Sequence, residues 1–385
     1  MGFIHHSHRI YFPINTYTNN RPLKGCSRGM EVYLLLYVTL TFFIFLPKNT
    51  DKLTYPLAFC ILLIVGAFRG STVGTDILVY YRNFAPITFN EITWNVYTPF
   101  EPGFNLLMAF FKEYITNDYY VFYSFLFVIT FSLLSFFIYK CSVRPIYSLF
   151  LLYSLFYYFS LFNYMRQYLA LVFCLVYLYL YIERRWFNLI FYEVAVVFTA
   201  INIHISLLTF TILPFIHLFL TNRVISKKIL VLILLMAVCF FYFKSYLINI
   251  LVWATEFLSD RYANYIRWGL YENASYSSIE MLMVASLCLI VILVVEDKRN
   301  LFFYIYFISV IFRIVFVPMV PMLGRVYFLY EIVSCIYFVN VYYSLNNRNI
   351  KLIFGLALLC FSLVFFTRGI INNANDVIPY TTAFD

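Results

Sequence analysis

The stretch "YYVFYSFLFVITFSLLSFFIY", residues 119–139, carries no charged side chain and no alternation of polar with apolar positions. As a helix it is long enough to cross a hydrocarbon core. Its lack of a two-residue period excludes a lipid-facing β-strand. Comparable runs recur along the chain, and no soluble domain absorbs them. Of 385 residues, 63% are hydrophobic and only 12% charged, so a soluble fold would have an apolar surface as well as an apolar core. The fold class is an all-α polytopic membrane protein. The net charge of +9 does not call for nucleic acid, because most basic residues fall in short loops, where they orient a membrane protein.

About twelve transmembrane helices are expected, near 31–46, 53–67, 119–139, 146–162, 164–182, 187–202, 205–221, 229–243, 279–295, 301–318, 325–345 and 352–367. Basic pairs then occupy alternate connections: Lys48 and Lys52, Lys140 and Arg144, Arg184 and Arg185, Lys227 and Lys228, Lys298 and Arg299, Arg348 and Lys351. The positive-inside rule puts that face in the cytoplasm and both termini outside. Two long loops, about 68–118 and 244–278, are left on the outer face. Residues 1–29 form an irregular tail with a His5, His6, His8 cluster and no signal-peptide core. Met30 reads as a natural start of the single membrane domain 30–385. The eight cysteines are scattered singly and read as small core residues, not as disulfides or metal ligands.

Spacing then locates a polar site. Arg185 and Arg223 stand 38 positions apart, a helical path of roughly 57 Å at about 1.5 Å per residue, barely two crossings of a core about 30 Å thick. Their midpoint, His204 in "INIHISLL", must turn at or just below the outer boundary. The same argument puts "NYMRQ", with Asn163, Arg166 and Gln167, at the apex of the preceding hairpin, and Arg325 in "GRVYF" at the apex of a later one. Ionisable groups at such depth need a wet cavity or a partner. Arg313, inside an apolar run, either pairs with Glu331 or snorkels outward. Glu193 also lies mid-span, and His217 reads as structural.

The residues at these apices, taken with "FRGSTVGTDILVYY" (68–81) and "EPGF" (101–104), give the chain a resemblance to the EpsG family of Wzy-like polysaccharide polymerases. It extends over nearly the whole chain from Met30. The family pattern FRG-x-x-VGTD-x-x-x-Y is similar to the first stretch, an acidic-x-Gly-aromatic motif to the second, N-x-x-R-Q to "NYMRQ" and H-x-S to "IHIS". In "NYMRQ", Tyr164 and Met165 replace smaller residues. The resemblance implies an enzyme of the bacterial inner membrane that lengthens O antigen, capsule or exopolysaccharide. Its substrates are undecaprenyl-diphosphate-linked oligosaccharide units, joined on the periplasmic or outer side by transfer of the growing chain to the non-reducing end of a new unit. A chain-length regulator and a flippase are the implied partners beside membrane lipid.

That reaction assigns roles. Arginine binds phosphate oxygens through a planar, permanently charged fork, which nominates Arg69, Arg166 and Arg325 for the diphosphate, with backbone amides at Gly70 and Gly74 as further donors. Asp76 and His204 compete as general base, and Asp76 has orienting Arg69 or capping the next helix as its alternatives. Tyr80, Glu101, Asp260, Arg261 and Trp268 are the sugar-binding candidates, although interfacial aromatic belts look alike in sequence. No metal and no cofactor are expected, since the chain has no paired aspartates of the metal-dependent kind. A repeat-unit flippase or a lipid-phosphosugar-dependent glycosyltransferase is the alternative reading.

Overall fold

A computed structural model describes residues 29–89, 100–184, 186–221, 225–243, 278–295, 300–316 and 324–384. Among them every regular element is helical, and one isolated bridge, Arg69 to Thr382, is the sole β-type pairing. Five segments are long and apolar enough to cross a membrane: Lys48–Ala67, Tyr119–Cys141, Met165–Glu183, Val326–Ser344 and Arg348–Ile371. Shorter apolar helices include Met30–Phe45, Pro145–Ser154, Leu189–Asn202, Ser278–Val294 and Leu301–Phe316. Local chemistry starts several of them. Asp118 accepts from the Tyr120 amide at 2.8 Å and Asn347 from those of Asn349 and Ile350, each ending a polar turn just before an apolar run.

All twelve expected spans contain helix, but not twelve uninterrupted ones. The stretch 146–162 breaks at Phe156, whose φ is +71°, into Pro145–Ser154 and Tyr157–Ser160. The stretch 205–221 begins as a 3₁₀ turn, Ile205–Thr211, and continues as Ile212–Thr221. The last hairpin divides into Gly324–Glu331 and Ser334–Ser344. Buried polar residues mark two of these breaks, Ser154 at the first and Glu331 and Ser334 at the last. The cysteine expectation needs a correction too. Cys174, Cys288 and Cys335 are buried, but Cys60, Cys239 and Cys360 lie on exposed helix faces.

The first expected outer loop is largely folded. Within it, α3 (Ile77–Phe84) and α4 (Pro102–Tyr114) pack on α5 (Tyr119–Cys141). A second apolar core, separate from the main one, holds them, built on Ile77, Tyr80, Phe84, Phe104, Met108 and Phe122. The sequence disguises this because α3 is short and amphipathic: Ile77, Tyr80 and Phe84 are buried while Leu78, Val79 and Tyr81 are exposed. The second expected outer loop, 244–278, lies outside the described residues except for Ser278.

The two ends of the bundle differ. At one end, beside Lys48 and Lys351, Arg144 is buried and bonds Asp51 (3.3 Å), the Ile44 carbonyl (2.8 Å) and the Tyr343 hydroxyl (2.9 Å). Lys48 and Lys351 lie over the Tyr343 ring. At the other end the C-terminal segment covers the chain after Asp51–Ala67 and reaches the apex residue Asn163. There Gly70 donates to the Thr381 carbonyl (2.7 Å) and Ala383 to that of Phe68 (2.8 Å), while the Tyr380 hydroxyl bonds the Val65 carbonyl (3.0 Å).

Candidate active site

The apex "NYMRQ" opens α8 (Met165–Glu183), and each of its residues secures a different part of the chain. Asn163 is buried; it accepts from the Thr75 amide (2.7 Å) and donates to the Asn375 carbonyl (3.0 Å). Met165 puts its sulfur 4.0 Å from the Arg69 guanidinium. Arg166 pairs with Glu101 and lies over the Phe100 ring, 4.5 Å from its centroid. Gln167 donates to the Ser206 hydroxyl (3.3 Å). A helix start projects successive side chains in different directions, about 100° apart, so Asn163, Met165, Arg166 and Gln167 reach four separate sets of contacts.

"EPGF" complements this apex. Pro102 occupies the first position of α4, where its fixed φ suits a helix start and its missing N–H costs nothing. Gly103 passes so close to the end of α9 (Leu189–Asn202) that a Cβ there would stand 2.6 Å from Asn202 Cβ and 2.8 Å from its carbonyl oxygen. Phe104 is fully buried in the second core. The approach at Gly103 delivers Glu101 to two partners at once. One carboxylate oxygen pairs with Arg166, and the other accepts from the Ile205 amide at 3.1 Å. Two of the three hairpin apices thus meet at one carboxylate.

His204 sits beside this pair as the N-cap of the Ile205–Thr211 turn. Its Nδ1 lies 3.3 Å from the Ser206 amide nitrogen and 2.8 Å from the Ser206 hydroxyl. A backbone amide can only donate, so Nδ1 is the bare nitrogen and the proton of the neutral ring is assigned to Nε2. Gln167, Ser206 and His204 form one hydrogen-bonded chain ending in an N–H at Nε2. In the neutral ring Nδ1 accepts and Nε2 donates.

Other expected residues fall elsewhere. Arg69 is 1% exposed, enclosed by the rings of Tyr123 and Phe162 at 3.9 and 4.2 Å and bonded to the Gly66 carbonyl. The amides of Gly70 and Gly74 donate to the carbonyls of Thr381 and Asp376. Gly74 is required for another reason: its φ is +122° and a Cβ would stand 2.8 Å from Asn163 Oδ1. Tyr80 is buried, its hydroxyl 3.4 Å from the Arg166 amide and its ring stacked on Phe100. Asp76, the N-cap of α3, is half-buried one turn before Tyr80. Arg325 belongs to the helix Gly324–Glu331, but its side chain lies outside what is described, as do Asp260, Arg261 and Trp268. Arg313 pairs with Glu331 at 2.6 Å, which decides between its two readings. The sequence reading missed Glu280, Arg368 and the C-terminal segment; the only sequence signal for them was charge at helix ends.

The fold and site define a class: a multi-pass helical membrane protein with an ion-paired, hydrogen-bonded polar centre at one end of the bundle. The EpsG family model matches residues 52–382, so the chain belongs to the EpsG family, a family of Wzy-like polysaccharide polymerases. No curated protein and no solved structure matches it.

Proposed function

We propose that this protein polymerises oligosaccharide repeat units carried on undecaprenyl diphosphate, at the outer face of a bacterial inner membrane. The observation that carries the reading is the Arg166–Glu101 pair, poised between two hairpin apices beside an oriented His204, in a chain of this family. The basic cluster around Arg144 at the opposite end favours that end as cytoplasmic.

In the proposed reaction, an acceptor hydroxyl at the non-reducing end of a new unit attacks the anomeric carbon of the growing chain. The bond from that carbon to the diphosphate oxygen breaks, the hydroxyl proton passes to a base, and undecaprenyl diphosphate leaves. Arg166 stabilises the charge that develops on the leaving group, the kind of term that commonly dominates in a water-poor site. Glu101 holds the guanidinium in place and neutralises it until substrate arrives. The Nε2–H of His204 donates to a substrate oxygen. Asp76, one helical turn from Tyr80, is the proposed base. Arg69 supports the site from within the packed core.

The test is complementation of a strain lacking the gene with wild type or Arg166→Ala, matched for membrane expression. Long chains with wild type and single-unit products with the variant support the reading. Long chains persisting in the deletion strain, with repeat-unit export lost instead, overturn it.

A further inference from the structure

Three cations gather around Tyr343, at the end of the bundle that holds Arg144. Arg144 is buried and donates to the Tyr343 hydroxyl at 2.9 Å. The Lys48 ammonium lies 5.8 Å from the centre of the Tyr343 ring. That of Lys351 lies 5.1 Å from the same centre and 5.0 Å from that of Tyr342. The two lysines are far apart in the chain, Lys48 in the turn after the helix Met30–Phe45 and Lys351 in the first turn of Arg348–Ile371. One shared ring holds their ammoniums close together.

The charges here do not balance. Asp51, the carboxylate at this cluster, is engaged by Arg144 at 3.3 Å. Neither Lys48 nor Lys351 forms an ion pair among the described residues. A ring face attracts a cation weakly and does not cancel its charge. Both lysines also stand in the first turn of a long helical segment, Lys48–Ala67 and Arg348–Ile371. The dipole is positive at such an end, and a cation there is disfavoured. Two surplus positive charges in this position call for an anion.

The neighbouring surface narrows the kind of anion. Met30–Phe45 and Arg348–Ile371 lie side by side, with Tyr37 stacked on Phe366 at 4.5 Å between ring centres. Toward the middle of the membrane from the lysines, the outward side chains of both helices are apolar. Phe42 and Phe45 on one, and Ile353 and Leu356 on the other, are 60–70% exposed. A soluble phosphate has no use for that surface, whereas a lipid uses it together with the lysines.

We propose that Lys48 and Lys351 form a binding site for the phosphate headgroup of an anionic phospholipid, whose acyl chains lie against the exposed apolar faces of these two helices. Basic groups just outside a span attract such headgroups. The inference concerns membrane lipid at the end of the bundle away from Arg166, and it does not depend on the polymerase reading.

The test is native mass spectrometry of the purified full chain in detergent, with phosphatidylglycerol, cardiolipin or phosphatidylethanolamine added in turn. The two anionic lipids are expected to stay bound where the zwitterionic one is lost. Lys48→Gln combined with Lys351→Gln lowers their retention at least about tenfold, and either change alone lowers it about fivefold. Lys48→Arg combined with Lys351→Arg keeps the charge and retains binding. Lys228→Gln removes an exposed lysine of another helix, Lys227–Tyr242, and leaves retention at the wild-type level. Lys48 is exposed, so Lys48→Gln alone keeps the proposal testable if the double variant fails to fold. Equal retention of phosphatidylethanolamine by wild type overturns the proposal, as does retention unchanged in the double Gln variant or lowered equally by Lys228→Gln. Displacement of the bound lipid by glycerol 3-phosphate at equal concentration overturns it too, because the site would then take a soluble phosphate ester.

Discussion

Glu101 and Arg166, 65 positions apart in the chain, form an ion pair in which the carboxylate also accepts the Ile205 amide. One side chain therefore joins the folded segment after α2 (Asp51–Ala67) to the apices of two hairpins. Removing either partner leaves a largely enclosed charge uncompensated. Arg166→Ala and Glu101→Gln are each expected to reduce polymer formation at least about a hundredfold, the scale of losing a charge-stabilising group. Arg166→Lys is not expected to rescue, because an ammonium lacks the two-pronged geometry. Product chain length on gels, at matched expression, checks this.

Arg69 and Arg166 separate by what their loss damages. Arg69→Ala opens a cavity in the aromatic cage of Tyr123 and Phe162, so it is expected to lower the melting temperature of the detergent-extracted protein clearly, with activity falling in parallel. Arg166→Lys, which keeps a positive charge beside Glu101, is expected to leave the melting temperature close to that of wild type while activity is lost. Thermal unfolding and polymer assays on the same preparations distinguish the two. Equal melting temperatures would remove Arg69 from its structural role.

Gly103→Val tests the close approach to Asn202. The added side chain must push α4 away from α9, at a cost of about 1–3 kcal/mol for overpacking. It is expected to break the Glu101–Arg166 contact without altering either residue. Loss of activity together with a modest fall in melting temperature is the expected result. Unchanged activity would mean that "EPGF" does not position the pair.

The hydrogen-bonded chain from Gln167 through Ser206 to His204 predicts which histidine variant survives. Glutamine places an N–H near the Nε2 position and asparagine near Nδ1. His204→Gln is expected to retain more activity than His204→Asn, and ¹⁵N shifts of the His204 ring should report the Nε2-protonated form at neutral pH. A ring protonated at Nδ1 in its neutral form, or Asn outperforming Gln, contradicts the assignment.

Removing residues 377–385 takes away the carbonyl that the Tyr33 hydroxyl bonds at 3.1 Å, along with the contacts of Tyr380 and Thr381. The expected consequence is a less stable protein in which residues 68–76 become accessible to protease. Limited proteolysis of the membrane fraction measures it directly. Protection equal to wild type would show that the C-terminal segment does not hold that stretch.

The spacing between basic loops located the apices at His204 and Arg166, because helix rise and membrane thickness together limit where a hairpin can turn. The motif "EPGF" was visible as a pattern, but its role was not. Nothing in the sequence reveals that Gly103 matters through its distance from Asn202, or that Glu101 meets Arg166 before it meets a sugar. Arg69 shows the converse. An arginine at a span end reads as a ligand for anions, and only the surrounding rings of Tyr123, Phe127 and Phe162 show it enclosed.

What the sequence by itself determined is the class: apolar runs that exclude a soluble fold and require a helical membrane protein. These follow from hydrophobicity and helix rise, which are local properties read residue by residue. The tertiary structure alone decided which polar groups pair, which are sealed in the core, and that a supposed loop folds as a cap with its own apolar centre. Those outcomes depend on contacts between segments tens to hundreds of positions apart. No local property encodes which of several charges will find which partner.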